Sequence, residues 1–185
     1  VTSGQEALIG DADCMALQLA EVPGDEVPRA TERTMLDALH FRYRAVLGNG
    51  RRYVAAEHVR SHASFDARRT ADFIAVDTWK SGRFDLHGHE VKVSRSDWLR
   101  ELKDPEKAAE FTPYMNRWWV VVPDSSIVKP GELPAAWGLL VLAGGLLEVA
   151  RHAPRQDAEP IPQTRLVALM RAVQSTAASR AGADR

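Results

Sequence analysis

The alternation of apolar and polar positions divides this 185-residue chain into a succession of helices and short strands. Met35, Leu36, Leu39, Tyr43, Val46 and Leu47 recur at helical spacing behind Thr31, a residue type that caps helix N-termini, and predict a helix over residues 31–47 that stops at Gly48-Asn49-Gly50. Residues 53–59 and 71–79 read as strands joined by a polar connection over 61–69. Lys80-Ser81-Gly82-Arg83 is a turn into a third strand, 84–93, antiparallel to the second. Ser96 caps a helix over 97–114 with Trp98, Leu99, Leu102 and Phe111 as its apolar positions, which Pro105 either kinks or splits. Residues 118–122 are an unbroken apolar run, as expected of a strand covered on both faces, and Pro123 stops it. Residues 137–142 and 146–149 read as two more strands joined at Gly144-Gly145. A proline-containing linker over 156–162 then leads to a final helix over 164–175, with Leu166, Leu169, Met170 and Val173 inward and a frayed end behind it.

The resulting order is helix, three strands, helix, strand and an extension, which predicts an α/β fold with helices flanking a central mixed sheet. An acidic arm over 1–30, with at most a short helix over 14–20, precedes an α/β domain over 31–150, and a linker with the C-terminal helix fills 151–185.

Composition narrows the chemistry. Hydrophobic residues make up 45% and charged residues 26%, ordinary for a globular protein. No apolar run is long enough to span a bilayer and no signal-like pattern opens the chain, so no membrane partner and a cytoplasmic location, in a bacterium or a phage-infected one, are expected. Cys14 is the single cysteine, and no Cys/His spacing of zinc-site type occurs, so any metal is expected on oxygen ligands. The net charge of -1 argues against a generic polyanion binder, although residues 31–123 carry sixteen Lys/Arg against thirteen Asp/Glu.

Within the third strand, Glu90 and Lys92 are two apart and share a face. An ion pair on an apolar strand is costly unless something binds there. If the hairpin turns near residues 81 and 82, Asp72 falls opposite residues 90–92, whereas Asp77 falls opposite Leu86, ~13 Å from Glu90 at the usual strand rise. Two carboxylates and a lysine so placed suit Mg2+-assisted phosphodiester hydrolysis: the acids are hard oxygen ligands, and the lysine positions water or stabilises the pentacovalent transition state.

Asp72, the hairpin and Glu90-Val91-Lys92 entering a helix resemble the PD-(D/E)xK nuclease superfamily, the restriction-endonuclease-like fold with core order αβββαβ. The stretch from Arg69-Thr70-Ala71-Asp72 through Glu90-Val91-Lys92-Val93-Ser94-Arg95-Ser96-Asp97-Trp98 and Lys103-Asp104-Pro105-Glu106-Lys107 to Trp118-Trp119 and Trp137-Gly138 further resembles a bacterial and phage branch related to DNA-repair proteins. The likeness covers roughly residues 31–142. It implies a metal-dependent deoxyribonuclease in DNA repair, restriction or phage DNA processing, using Mg2+ or Mn2+, with Asp72 and Glu90 as metal ligands, Lys92 as catalytic lysine and the Val91 carbonyl facing the metal. DNA is the implied partner, and many enzymes of this fold cut as homodimers. Ala71 stands where many members carry proline, and His89 where an apolar residue is expected.

Other residues compete for roles. Glu57 on the first strand, or Glu32 and Asp37 on the first helix, is a candidate third acid, because the site lies where that helix meets the sheet; a surface role is the simpler reading for Glu32 and Asp37. Asp85, His87 and His89 alternate on the face opposite Glu90 and form either a transition-metal array or, more simply, a solvent-facing polar strand edge. Arg68, Arg69, Arg95, Lys103 and Lys107 surround the site in sequence and are candidate DNA-phosphate contacts, the last two sharing a helix face. Trp118 and Trp119 read as core rather than as a base-stacking platform, and Trp79 and Trp98 likewise as packing. The alternative to a nuclease is a nuclease-like fold that binds DNA or a repair partner without cutting.

Overall fold

A computed structural model of the chain describes residues 30–47, 50–63 and 69–183. The acidic arm, Cys14 and Arg68 lie outside the described residues.

Thr31 caps the first helix, α1 (Glu32–Phe41), through a reciprocal box in which the Thr34 amide donates to the Thr31 hydroxyl and the Thr31 amide to that of Thr34. The helix runs on as a π-helical turn, Arg42–Val46, closed by the Leu47 amide donating to the Arg42 carbonyl. One extra residue per turn swings the helix face round, so Met35, Leu36, Leu39 and Tyr43 are buried while Val46 and Leu47, expected inward, face solvent.

Strands β1 (Tyr53–Arg60), β2 (Thr70–Asp77) and β3 (Leu86–Val91) form an antiparallel meander, and β4 (Arg117–Val122), β5 (Trp137–Ala143) and β6 (Leu146–Arg151) extend it in chain order. β3, β4 and β5 run parallel to one another and β6 returns antiparallel, so the sheet is mixed. The crossover between β3 and β4 carries two helices, α2 (Arg95–Lys103), capped by Ser94 instead of the predicted Ser96, and α3 (Pro105–Ala109). The single helix expected over 97–114 is thus split. Proline at the first helical position needs no amide partner, so it starts a new helix more readily than it continues an old one.

Helix α1 covers one face of the sheet, where Leu39 and Tyr43 pack with Phe73, Val121 and Leu140. Trp98 and Phe111 from the crossover cover the other with Val120, Ile74 and Trp118. Trp118 and Trp119 are core residues with indoles against glycines: a Cβ on Gly88 would come within 2.3 Å of the Trp118 ring, and one on Gly138 within 2.3 Å of that of Trp119. Trp79, expected to pack, is 43% exposed beneath the Arg52 guanidinium.

The last helix, α4 (Gln163–Ala183), extends well past the expected end at 175 and lies along edge strand β1, whose Glu57 amide donates to the Thr176 hydroxyl. A helix over a strand edge removes a template for further pairing. Leu169 is buried there, whereas Leu166 and Met170, predicted inward, are exposed.

The Asp85, His87 and His89 array is neither a metal site nor a solvent-facing edge, because β3 is an interior strand with β2 and β4 on either side. His89 is fully buried; its Nδ1 donates to the Phe73 carbonyl and its Nε2 accepts from the Tyr43 hydroxyl at 2.9 Å. The His87 Nδ1 lies 3.1 Å from the same hydroxyl. Burial holds both imidazoles neutral, His87 down at about 4 and His89 well below the usual range. Asp85 is taken by Arg155. A histidine at the apolar position is therefore accommodated by giving each ring nitrogen a partner.

Candidate active site

The β2–β3 register pairs Phe73 with His89, which sets Asp72 across from Glu90 at the open end of the hairpin. Asp77 falls at the other end, where its amide bonds Asp85 and its carboxylate takes Arg52. Asp72, Glu90, Val91 and Lys92 line one cleft of about 370 Å³. Asp72 Oδ2 accepts from the Val91 amide at 2.7 Å, so the carboxylate is tied to the backbone of the strand that carries Glu90.

The crossover helices close the cleft with two residues of consequence. Glu101 is 5% exposed, and the Lys92 ammonium sits between it and Glu90, 2.8 Å from Glu101 Oε2 and 2.7 Å from Glu90 Oε1. Lys107 reaches the same two carboxylates, bonding Glu90 Oε1 and lying 3.2 Å from Glu101 Oε2. Glu101 Oε1 is buried and has no hydrogen-bond partner among the described residues. Burial first, and then the Asp72 charge, push the Glu90 carboxyl up to about 7 against the pull of Lys92. Burial also raises Asp72, opposed by the Val91 amide. Burial alone would lower the Lys107 ammonium, but the Glu90 carboxylate beside it overrides that and lifts it.

Several expected roles are not realised. Glu57, the candidate third acid, is held by Arg33, His40 and Arg180 between α1 and α4, away from the cleft. The acid from α1 that does reach the cleft is Glu32, which is surface-exposed as expected and also lines the cleft. A Glu32 oxygen, a His58 ring nitrogen and an Asp72 oxygen all lie within 4.8 Å of one another, which adds an imidazole where only oxygen ligands were expected. His58 lies across from Asp72 in a β1–β2 register that pairs Glu57 with Phe73 and Val59 with Ala71, and it adopts a left-handed φ of 50°.

Among the basic candidates, Arg95 is bound bidentate to Glu132 and to the Ile127 carbonyl, a tie that holds the loop after β4 rather than presenting a cation to DNA. Arg69 pairs with Asp104 at 2.8 Å. The break after Lys103 separates it from Lys107: Lys107 enters the cleft, and Lys103 is an exposed residue outside its lining.

No family model matches the chain, and no curated protein matches it. Its fold is similar to a solved structure from Silicibacter pomeroyi, SPO1766, described as a protein of unknown function. The two chains are 24% identical, the match covers 86% of this chain and 92% of that one, and the TM-score is 0.53. The fold is thus an α/β arrangement with a six-stranded mixed sheet between helices. No helix among the described residues is long and apolar enough to cross a membrane.

Proposed function

We propose that the chain is a metal-dependent DNA nuclease built on a restriction-endonuclease-like core, hydrolysing phosphodiester bonds in DNA repair, restriction or phage DNA processing. The observation that carries this reading is Asp72 set across from Glu90, with the Lys92 ammonium 2.7 Å from Glu90, in one open cleft. The first six elements, α1, β1, β2, β3, the α2–α3 crossover and β4, follow the core order of that superfamily. The donor set fits Mg2+ or Mn2+, with carboxylates of Asp72 and Glu90 and the Val91 carbonyl as hard ligands. A bound divalent cation would activate water and neutralise phosphate charge. The chain's own part is positional. Glu101 and Glu90 fix the Lys92 ammonium from two sides, so it meets a scissile phosphate already oriented.

Divalent-dependent cleavage of duplex, single-stranded and branched DNA tests the reading, with D72A and E90A as controls of retained fold. Both variants should lose all cleavage; a wild type that cuts no DNA form with any divalent metal overturns it. The contact of Lys107 with Glu90 favours one competing reading, a non-cleaving DNA-binding or repair-accessory protein whose internal ammonium stands in for the metal. Salt-dependent DNA binding that survives loss of Asp72 and Glu90, without cleavage, would select it.

A further inference from the structure

The cleft has a second end, where the chemistry differs. Glu32 from α1 and Asp72 from β2 line this end, His58 from β1 brings a ring nitrogen within 4.8 Å of an oxygen of each, and its Nδ1 lies 3.7 Å from Glu32 Oε1. The lysines serve the other end. Among the described residues, Lys92 and Lys107 both bond Glu90 and Glu101, while no lysine or arginine nitrogen comes within salt-bridge distance of the Asp72 carboxylate. Even so, Glu101 Oε1 is left buried without a partner among the described residues, and the cleft lining carries six acids against three basic residues.

We propose that Glu32, His58 and Asp72 hold a first-row transition-metal dication, bound in preference to Mg2+ and sharing Asp72 with the position formed by Asp72 and Glu90. This rests on the nuclease reading only in taking the cleft as a cation site. Ligands at ~2.1 Å from a common ion lie roughly 3–4 Å apart, so three atoms already within 4.8 Å of one another need only small side-chain rotations to close on it. Preference follows from the donor set: imidazole nitrogen binds the first-row dications increasingly well from Mn2+ to Cu2+, with Zn2+ below Cu2+, whereas Mg2+ takes oxygen and retains its water. The three ligands come from three elements, two of them paired strands, so the site is complete only in the folded sheet.

Mn2+ and Mg2+ binding to the full chain are measured calorimetrically, and pulsed EPR on the Mn2+ complex reports any nitrogen on the metal. H58N is the variant of choice, because asparagine tolerates the left-handed backbone at this position, and E32Q supplies a second. Wild type should bind Mn2+ at least tenfold more tightly than Mg2+ and show imidazole nitrogen coupling. H58N should lose that coupling and at least tenfold in Mn2+ affinity with Mg2+ affinity unchanged, and E32Q should lose affinity but keep the coupling. Coupling that persists in E90Q, together with a wild type that cuts no DNA form with any divalent metal, would uphold this site and overturn the nuclease reading. Mg2+-dependent cleavage lost in E90Q, with no nitrogen on Mn2+ and an unchanged H58N, would overturn this site and uphold the nuclease reading.

Discussion

Replacing Glu90 with glutamine should stabilise the metal-free protein at alkaline pH. Glu90 is 2% exposed, and burial together with Asp72 raises its carboxyl from 4.5 to about 7. A folded-state value above the unfolded one means that the group's favourable contribution is fully present below pH 4.5 and is lost as pH rises through about 7. At 1.36 kcal/mol per pH unit, the loss amounts to about 3 kcal/mol, a large part of the stability of an ordinary domain. Glutamine has no proton to release, so E90Q escapes it, and Glu101 remains to pair Lys92 and Lys107.

Urea denaturation of both proteins in EDTA measures the difference. E90Q should gain on wild type by about 3 kcal/mol between pH 4.5 and pH 8.5, most of it between pH 5 and 8. Saturating Mg2+ at pH 8.5 should reverse the order, because the cation stabilises the ionised carboxylates of wild type and E90Q binds it poorly. A stability difference that stays flat across this range would refute the reasoning, since it would mean that Glu90 ionises in the folded protein as freely as in the unfolded one.

Two other substitutions separate the roles of the basic residues. K107M should raise Mn2+ affinity several-fold in calorimetry, because its ammonium competes for Glu90, and should destabilise the metal-free protein by about 1–3 kcal/mol through the uncompensated carboxylates it leaves. R95A should lower stability, since it strips Glu132 of its bidentate partner, yet leave the salt dependence of DNA binding unchanged; a reduced salt slope would return Arg95 to the DNA interface.

The hairpin was legible because period-two alternation and a four-residue turn fix which residues face each other to within about one position. Turn arithmetic therefore placed Asp72 by Glu90 and separated Asp77 from it, although Asp77 sits beyond the Val76–Leu86 pair rather than opposite Leu86. Glu101 was missed, yet it carried a signal. It lies three residues after Trp98 on the buried stripe of α2, and an acid on an apolar helix face needs a partner as much as Glu90 does. Other features had no local signature. Arg95 read as a free cation because Glu132 lies 37 residues away, and Glu32 could be named only as one of three alternative acids because the docking of α1 against the sheet decides which exposed side chain lines the cleft.

Connectivity explains why the charges meet. Antiparallel β2 and β3 deliver Asp72 and Glu90 side by side, but the parallel β3–β4 pair forces the chain to cross the sheet before it returns. That crossover lays α2 and α3 over the Glu90 face, where Trp98 anchors α2 in the core and Glu101 follows one turn later. The break before Pro105 then turns Lys107 back toward Glu90, which a straight helix carrying Lys103 and Lys107 on one face would not do. Three acids and two ammonium groups are thus gathered by packing that would hold equally well with apolar side chains in their place, and apolar replacements would be the more stable choice. A fold that keeps Glu90 near neutrality and leaves Glu101 Oε1 without a partner is carrying a cost of several kcal/mol, and a cation entering between Asp72 and Glu90 would remove much of it.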